Sequence, residues 1–458
     1  MRVGPRRARN RCRLRIVETT RTQLGGVKLS PYGAASVVPA PVNRMMAEFA
    51  SGFRDGIDIN VGVGYVNERT IPVDLFRRAM DAVIADPVRY RQAFNYGGPA
   101  GSQNLVHSIK RFLVRRGMPP EVVERNRMII GPCGATSVLE SLAQVLPRGI
   151  VVTSDPWYYI YCEALERKGF EVLAVPEDAE GIDLALLERK LAALGERLHE
   201  VSFFYVVTVN NPSCTVLSNR RRRALYAVAA ETSDRLGRRV PIFFDQAYEL
   251  LVHDPAAEPF ESVLPEDELA IAYEIGTLSK VLAPALRVGY LLGRDGDLMQ
   301  AMVQKTADTG FSAPLFAQEM ASWLLDNAIN EQLERVNAGY REKALAVRRG
   351  IEEHLGPHLE EYRGGSAGFY YYLTFREVET HERSRFFGRL TRTTGDPAWD
   401  GPPENRKPRV MYIPGEHCVH PRGDLVERGR RQLRLSYGFE ETPRILEALR
   451  LMREAIEG

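Results

Sequence analysis

The chain has 458 residues, 44% of them hydrophobic, which is enough for a sizeable core spread over two lobes. Its 61 Lys and Arg against 59 Asp and Glu leave a net charge of +2, so no global field draws it to nucleic acid or to a membrane. Five scattered cysteines with no CxxC pair argue against a disulfide framework and for the reducing cytoplasm, and no run reaches the roughly 18 apolar residues of a membrane span.

Arginine dominates the start. Arg2, Arg6, Arg7, Arg9, Arg11, Arg13 and Arg15 precede the first acid, Glu18, with no apolar stretch behind them, so this is not a secretory signal. Residues 1–50 are expected to form a basic, partly flexible arm. Two glycine-bearing segments follow, Asn60-Val61-Gly62-Val63-Gly64 and Asn95-Tyr96-Gly97-Gly98. From about residue 120 to 295, short apolar runs alternate with amphipathic stretches. Residues 128–130, 150–153, 172–175, 201–207, 241–244, 270–275 and 288–292 read as strands. Residues 137–146, 157–168, 184–194 and 219–236 read as helices between them. That alternation predicts an α/β fold whose mostly parallel seven-stranded sheet is flanked by helices. Strands apolar throughout imply burial on both faces. After residue 325 the pattern becomes a long helix over 327–355, a glycine-rich turn, an aromatic strand over 369–373 and a closing helix over 443–456. Residues 391–407, rich in Pro, Gly and charge, read as an exposed loop. The large domain is expected over 71–325, and a smaller α+β domain from 51–70 together with 326–458.

Open α/β sheets place their ligands at the carboxyl ends of strands, and three of these ends carry chemistry. Gly131-Pro132-Cys133-Gly134-Ala135-Thr136 leads into a helix whose first N–H groups and dipole favour an anion. It is no GxGxxG, so a dinucleotide is not indicated. Asp245 closes the strand before it, with Tyr248 three residues on. Lys280 follows Thr277 and Ser279 and precedes Arg287. Burial at a strand end lowers an amine's pKa and makes it a nucleophile toward aldehydes. Amine, hydroxyls and guanidinium together describe a socket for pyridoxal 5′-phosphate. Lys280 would carry the Schiff base, while Ala135, Thr136, Thr277, Ser279 and Arg287 would enclose the phosphate. Asp245, unless it simply caps a helix, would face the pyridine nitrogen, where an anion keeps the ring cationic and electron-accepting. Tyr248 could reach the phenolic O3′. Lys280, Asp245 and Tyr248 are thus the expected catalytic residues. His417, Cys418 and His420 crowd one short loop, which does not supply a full ligand set, and no metal is expected.

In order along about residues 55–440, these motifs resemble those of the class I/II aminotransferases, members of fold type I of the pyridoxal-phosphate enzymes. The resemblance implies that Asn211 hydrogen-bonds O3′, although Ser213-Cys214 stand where the family has Thr-Gly. It implies that Tyr158, or its rival Trp157, stacks on the pyridine face. Arg434, with Arg431 as its competitor, would grip the substrate carboxylate, and Gly62 and Val63 belong to a segment that closes over substrate. Tyr96 would reach the cofactor phosphate of a neighbouring subunit, making a homodimer with shared sites. The implied activity is transamination of a small-molecule amino acid through an external aldimine and α-carbanion. The Ser213-Cys214 turn, Ala285 in place of glycine and the 391–407 loop keep a second chemistry open: elimination or carbon–carbon bond formation on S-adenosylmethionine, as in 1-aminocyclopropane-1-carboxylate synthase. A regulator that joins such a domain to a DNA-binding module is a third class. The residues ahead of the resemblance show no paired amphipathic helices, so no nucleic-acid partner is expected.

Overall fold

The computed structural model describes residues 27–458, and the arginine-rich run over 2–15 lies outside the described residues. Part of the expected arm is a helix instead. Pro41–Ala50 buries Val42, Met45 and Phe49, which recur at i, i+3 and i+7 along one face.

All seven expected strands form, and an eighth joins them. They are β1 (Asn126–Ile130), β2 (Ile150–Asp155), β3 (Glu171–Asp178), β4 (Gly181–Ile182), β5 (Val201–Val207), β6 (Ile242–Asp245), β7 (Ala272–Thr277) and β8 (Gly289–Arg294). Their order across the sheet is β1-β8-β7-β6-β5-β2-β3-β4. The strands from β7 to β3 run parallel, and β8 is antiparallel to both its neighbours. The additional strand, β4, is a two-residue return on β3, too short to show as an apolar run. Every residue of β2, β5, β6 and β7 is buried, as strands covered on both faces require. The chain steps outward from β2 to β3, then returns to β5 beside β2 and continues the other way to β6 and β7. That reversal gathers the loops after β2, β5, β6 and β7 at one edge.

The second unit is an antiparallel sheet of β9 (Leu359–Gly364), β10 (Tyr370–Phe375), β11 (Ile413–Pro414) and β12 (Gln432–Ser436), in the order β9-β10-β12-β11. Helices Ile329–His354 and Thr442–Glu457 pack on each other beside it. The N-terminal segment is laid onto this unit: Ile59 and Asn60 pair in parallel with Val410 and Met411, and Ser436 N donates to Val61 O at 2.7 Å. Asp58 anchors the crossing. Burial alone would raise its carboxyl, but Arg54 and Arg409 hold it down at about 2. Residues 391–407 are largely exposed, yet ordered by Asp400, which accepts from Thr394 and Gly395, and by Trp399 stacked under Arg389 at 3.9 Å.

Candidate active site

The end of β1 and the start of helix Gly134–Val145 form one wall. Gly289 of β8 packs against that first turn so closely that a Cβ would sit 2.2 Å from Ala135 N, so only glycine fits. Cys133 at the N-cap makes no side-chain cap, which leaves first-turn N–H groups free for an anion. Arg287 adopts a left-handed conformation, φ 53°, and is pinned over the same turn. Its carbonyl accepts from Gly134 N at 2.6 Å, and its guanidinium donates to Cys133 O and Pro284 O, each at 3.1 Å. Thr277 Oγ1 lies 3.0 Å from Ser279 Oγ and 2.7 Å from Val288 O, completing a cluster of donors beside the cation.

Lys280 Nζ donates to Gly64 O at 3.1 Å and faces the rings of Tyr248 and Phe369. Burial, with Arg434 and Arg287 nearby, lowers its pKa to about 8 against the pull of Asp245. A useful fraction of the amine is therefore neutral near physiological pH. Asp245 is buried at the end of β6. Its two oxygens accept from Tyr205 OH at 2.7 Å and Ala247 N at 3.0 Å. Burial pushes this carboxyl up, while those two bonds and Lys280 oppose the shift. Tyr248 and Tyr370 share a hydroxyl contact of 2.9 Å, and burial lifts the Tyr248 phenol well above its ordinary value, keeping it a donor.

Arg434 of β12 is fully buried. It donates to Asn211 Oδ1 at 2.7 Å and to Gly62 O at 2.5 Å, and its guanidinium lies 4.4 Å from the centre of the Tyr370 ring. Its Nε has no partner among the described residues. Arg431 lies elsewhere and donates to Phe375 O and Arg376 O at the end of β10.

One cavity of about 140 Å³ joins most of the predicted set. Ala135, Thr136, Tyr158, Asn211, Asp245, Tyr248, Thr277, Ser279, Lys280 and Arg287 line it, together with Leu139, Val207, Ala247 and Pro284. Gly62 and half-buried Val63 bridge from Arg434 to Gly64 beside Lys280. Trp157 turns away, its ring 4.9 Å from His420 and its Nε1 directed at His417 O. Tyr96 is 84% exposed beside Phe311 and does not reach this cavity in its own chain. His417 is taken up by Glu382 at 2.7 Å, and Glu382 also pairs with Arg44.

Sequence reasoning missed Tyr205 and Tyr370. Tyr205 carried the clearest signal, because it is two residues from Val207, the strand partner of Asp245, and so shares its face. The donor set fits pyridoxal 5′-phosphate: a desolvated amine, a buried carboxylate, and an anion cradle that a Cβ at Gly289 would fill.

The family model described as aminotransferase class I and II matches residues 57–392. An aromatic-amino-acid aminotransferase of Thermococcus litoralis is 23% identical over 408 residues, covering 87% of this chain and 88% of its own. The 2-aminoadipate transaminase of Thermus thermophilus is 26% identical over 311 residues, 67% of this chain and 69% of that one. An HTH-type transcriptional regulator of Bacillus subtilis is 24% identical over 334 residues; the match covers 72% of this chain but only 64% of the regulator's length. Among solved structures, a multiple substrate aminotransferase from Thermococcus profundus superposes with a TM-score of 0.78 at 20% identity, covering 94% of this chain and 97% of that one.

Proposed function

The chain belongs to the class I and II aminotransferases, a family that uses pyridoxal 5′-phosphate, and on that premise we propose that it transfers the amino group of an amino acid to a keto acid. The observation that carries this reading is the placement of Lys280 and Asp245 on one buried cavity with an anion cradle beside them. When bound, the cofactor supplies an electron sink for the bond broken at the substrate α-carbon.

The chain's own groups divide the remaining work. Ala135, Thr136, Thr277, Ser279 and Arg287 would hold the phosphate, Asp245 the ring nitrogen, and Asn211 and Tyr248 the phenolic oxygen. Lys280 Nζ takes the substrate α-proton and later gives it back. Its pKa of about 8 suits a base working near neutral pH. Arg434, levelled by Asn211 and Tyr370, orients the substrate carboxylate, and its unpartnered Nε supports that role. The Gly62–Gly64 stretch excludes water from the same side.

The active unit in this reading is a homodimer. Tyr96 beside Phe311, and Phe94 (76% exposed) stacked on Phe316, offer apolar surface suited to a second copy, whose Tyr96 would enter this chain's phosphate site. Four unpaired cysteines among the described residues, including exposed Cys133 against Arg287, suit a reducing cytoplasm.

The test is to incubate the cofactor-loaded protein with proteinogenic amino acids paired with pyruvate or 2-oxoglutarate, and to identify products by mass. Paired keto-acid and amino-acid products, abolished in Lys280→Ala, are expected. Release of methylthioadenosine from S-adenosylmethionine without any keto acid would replace transamination with elimination, and turnover retained by Lys280→Ala would end both readings.

A further inference from the structure

A second and larger cavity, about 540 Å³, lies back to back with the first. The turn after β6 divides its side chains between the two. Asp245, Ala247 and Tyr248 line the Lys280 cavity, Gln246 and Glu249 line the other, and Thr277 borders both. The walls of the larger cavity include Phe112, Leu113, Met118, Phe260 and Tyr290. Gly276 lets the Tyr290 ring lie across β7, where a Cβ would meet Tyr290 Cζ at 2.1 Å.

The charge inside does not balance. Glu249 accepts from Thr208 Oγ1 at 2.8 Å and pairs at 3.2 Å with Arg222, a fully buried guanidinium flanked by the rings of Phe244 and Phe260. Glu274, beside Phe244 in the sheet, is 1% exposed, lines the cavity, and has an Oε1 with no hydrogen-bond partner among the described residues. Two carboxylates thus share one interior cation. Burial lifts the Glu274 carboxyl to about 7, with Glu249 adding to the shift and Ser262, Arg222 and Gln246 opposing it. At the rim, Arg223 is occupied by Glu261 and Glu266, and Arg116 is exposed. A buried carboxyl oxygen without a partner is unfavourable until a donor or cation meets it. Apolar walls of this volume around one or two convergent polar groups are the usual form of a small-molecule site.

We propose that this cavity is a second binding site for a small amphiphilic organic cation, with an apolar body against Phe112, Phe260 and Tyr290 and a protonated amine hydrogen-bonded to Glu274. Aromatic faces beside the acid add cation–π attraction for the same charge. The site is independent of the amino-transfer reading, because it lies on the other side of the Asp245–Glu249 turn from Lys280.

The probe is N,N-dimethyl-2-phenylethylamine, a tertiary amine that keeps an N–H for Glu274 yet cannot condense with the cofactor's aldehyde. Isothermal titration into the full-length, cofactor-loaded protein should show one saturable site per chain and no change in the cofactor's visible spectrum. Glu274→Gln should weaken binding by about 10- to 100-fold, the range expected for one charge-assisted hydrogen bond. The uncharged carbon isostere, 3-methylbutylbenzene, should bind the unaltered protein correspondingly less, which keeps the test decisive if Glu274→Gln fails to fold. No saturable binding, equal affinity for amine and hydrocarbon, equal affinity in a folded Glu274→Gln, or displacement by a substrate amino acid at the Lys280 cavity would each overturn the proposal.

Discussion

Tyr205→Phe isolates one hydrogen bond behind the proposed chemistry. The substitution removes a hydroxyl and keeps the ring, which packs against Tyr161 at 4.9 Å, so the β5 core is spared. What disappears is the 2.7 Å bond to a buried Asp245 oxygen, leaving only the bond from Ala247 N. A hydrogen bond to a charged group contributes about 1.5–3 kcal/mol. The ionised carboxylate becomes harder to hold by that amount, and a carboxyl that burial already pushes up moves further up. If the whole loss enters the barrier to α-proton removal, at 1.36 kcal/mol per decade, kcat falls about 10- to 100-fold. The assay is single-turnover mixing of loaded enzyme with saturating amino acid, followed through the cofactor's visible absorbance, with Asp245→Asn as the reference for complete loss. Because the defect is incomplete ionisation of Asp245, it should shrink as pH rises. An unchanged rate at every pH in a folded, loaded Tyr205→Phe protein would refute the idea that this hydroxyl sustains the charge.

Lys280 makes a pH prediction of the opposite kind. The unfolded chain keeps a proton on this amine between about 8 and its ordinary 10.5 that the folded apoprotein has released, so apoprotein stability should rise with pH across that window. Lys280→Met should flatten the rise and stabilise the apoprotein at pH 7 by about 3 kcal/mol, read by urea denaturation; an unchanged slope would contradict the lowered pKa. Arg434→Lys keeps the charge but loses the planar fork, so KM for amino acids should rise about 10- to 100-fold with a smaller change in kcat. Equal kinetics in the two proteins would remove Arg434 from carboxylate binding. Gly289→Ala forces a methyl against backbone at Ala135, with an expected loss of about 1–3 kcal/mol in thermal or urea unfolding and weaker phosphate binding by the apoprotein. Phe94→Asp should yield monomers in sedimentation and lower turnover, whereas an intact dimer would exclude that patch as the interface.

The strand ends were legible because their signal is local. Asp245 and Lys280 each close or follow an apolar run, and the Gly131–Thr136 turn leads straight into its helix. The groups that tune them were not, since each acts across a register that only the folded sheet reveals. Tyr205 reads as one more buried residue of β5 until Val207 is paired with Asp245, and Tyr370 reads as core until its hydroxyl meets that of Tyr248. The helix at 41–50 is short, and its signal in the sequence is three apolar residues, Val42, Met45 and Phe49, at helical spacing.

The interior ion pair shows the same limit most sharply. Glu274 lies in a strand that the sequence reads as apolar, and its counter-charge comes from the run Arg220 to Arg223, where residue type says nothing about direction. A helix turns roughly 100° per residue, so four consecutive arginines must point four ways. Arg220 meets Glu180, Arg221 meets Asp178 and Arg223 meets Glu261 and Glu266, while Arg222 alone turns inward to Glu249. The helix thus sends a single guanidinium to a wall that carries two carboxylates. Arg222 is committed to Glu249, and Glu274 keeps an Oε1 with no hydrogen-bond partner among the described residues, open to a cation from outside the chain.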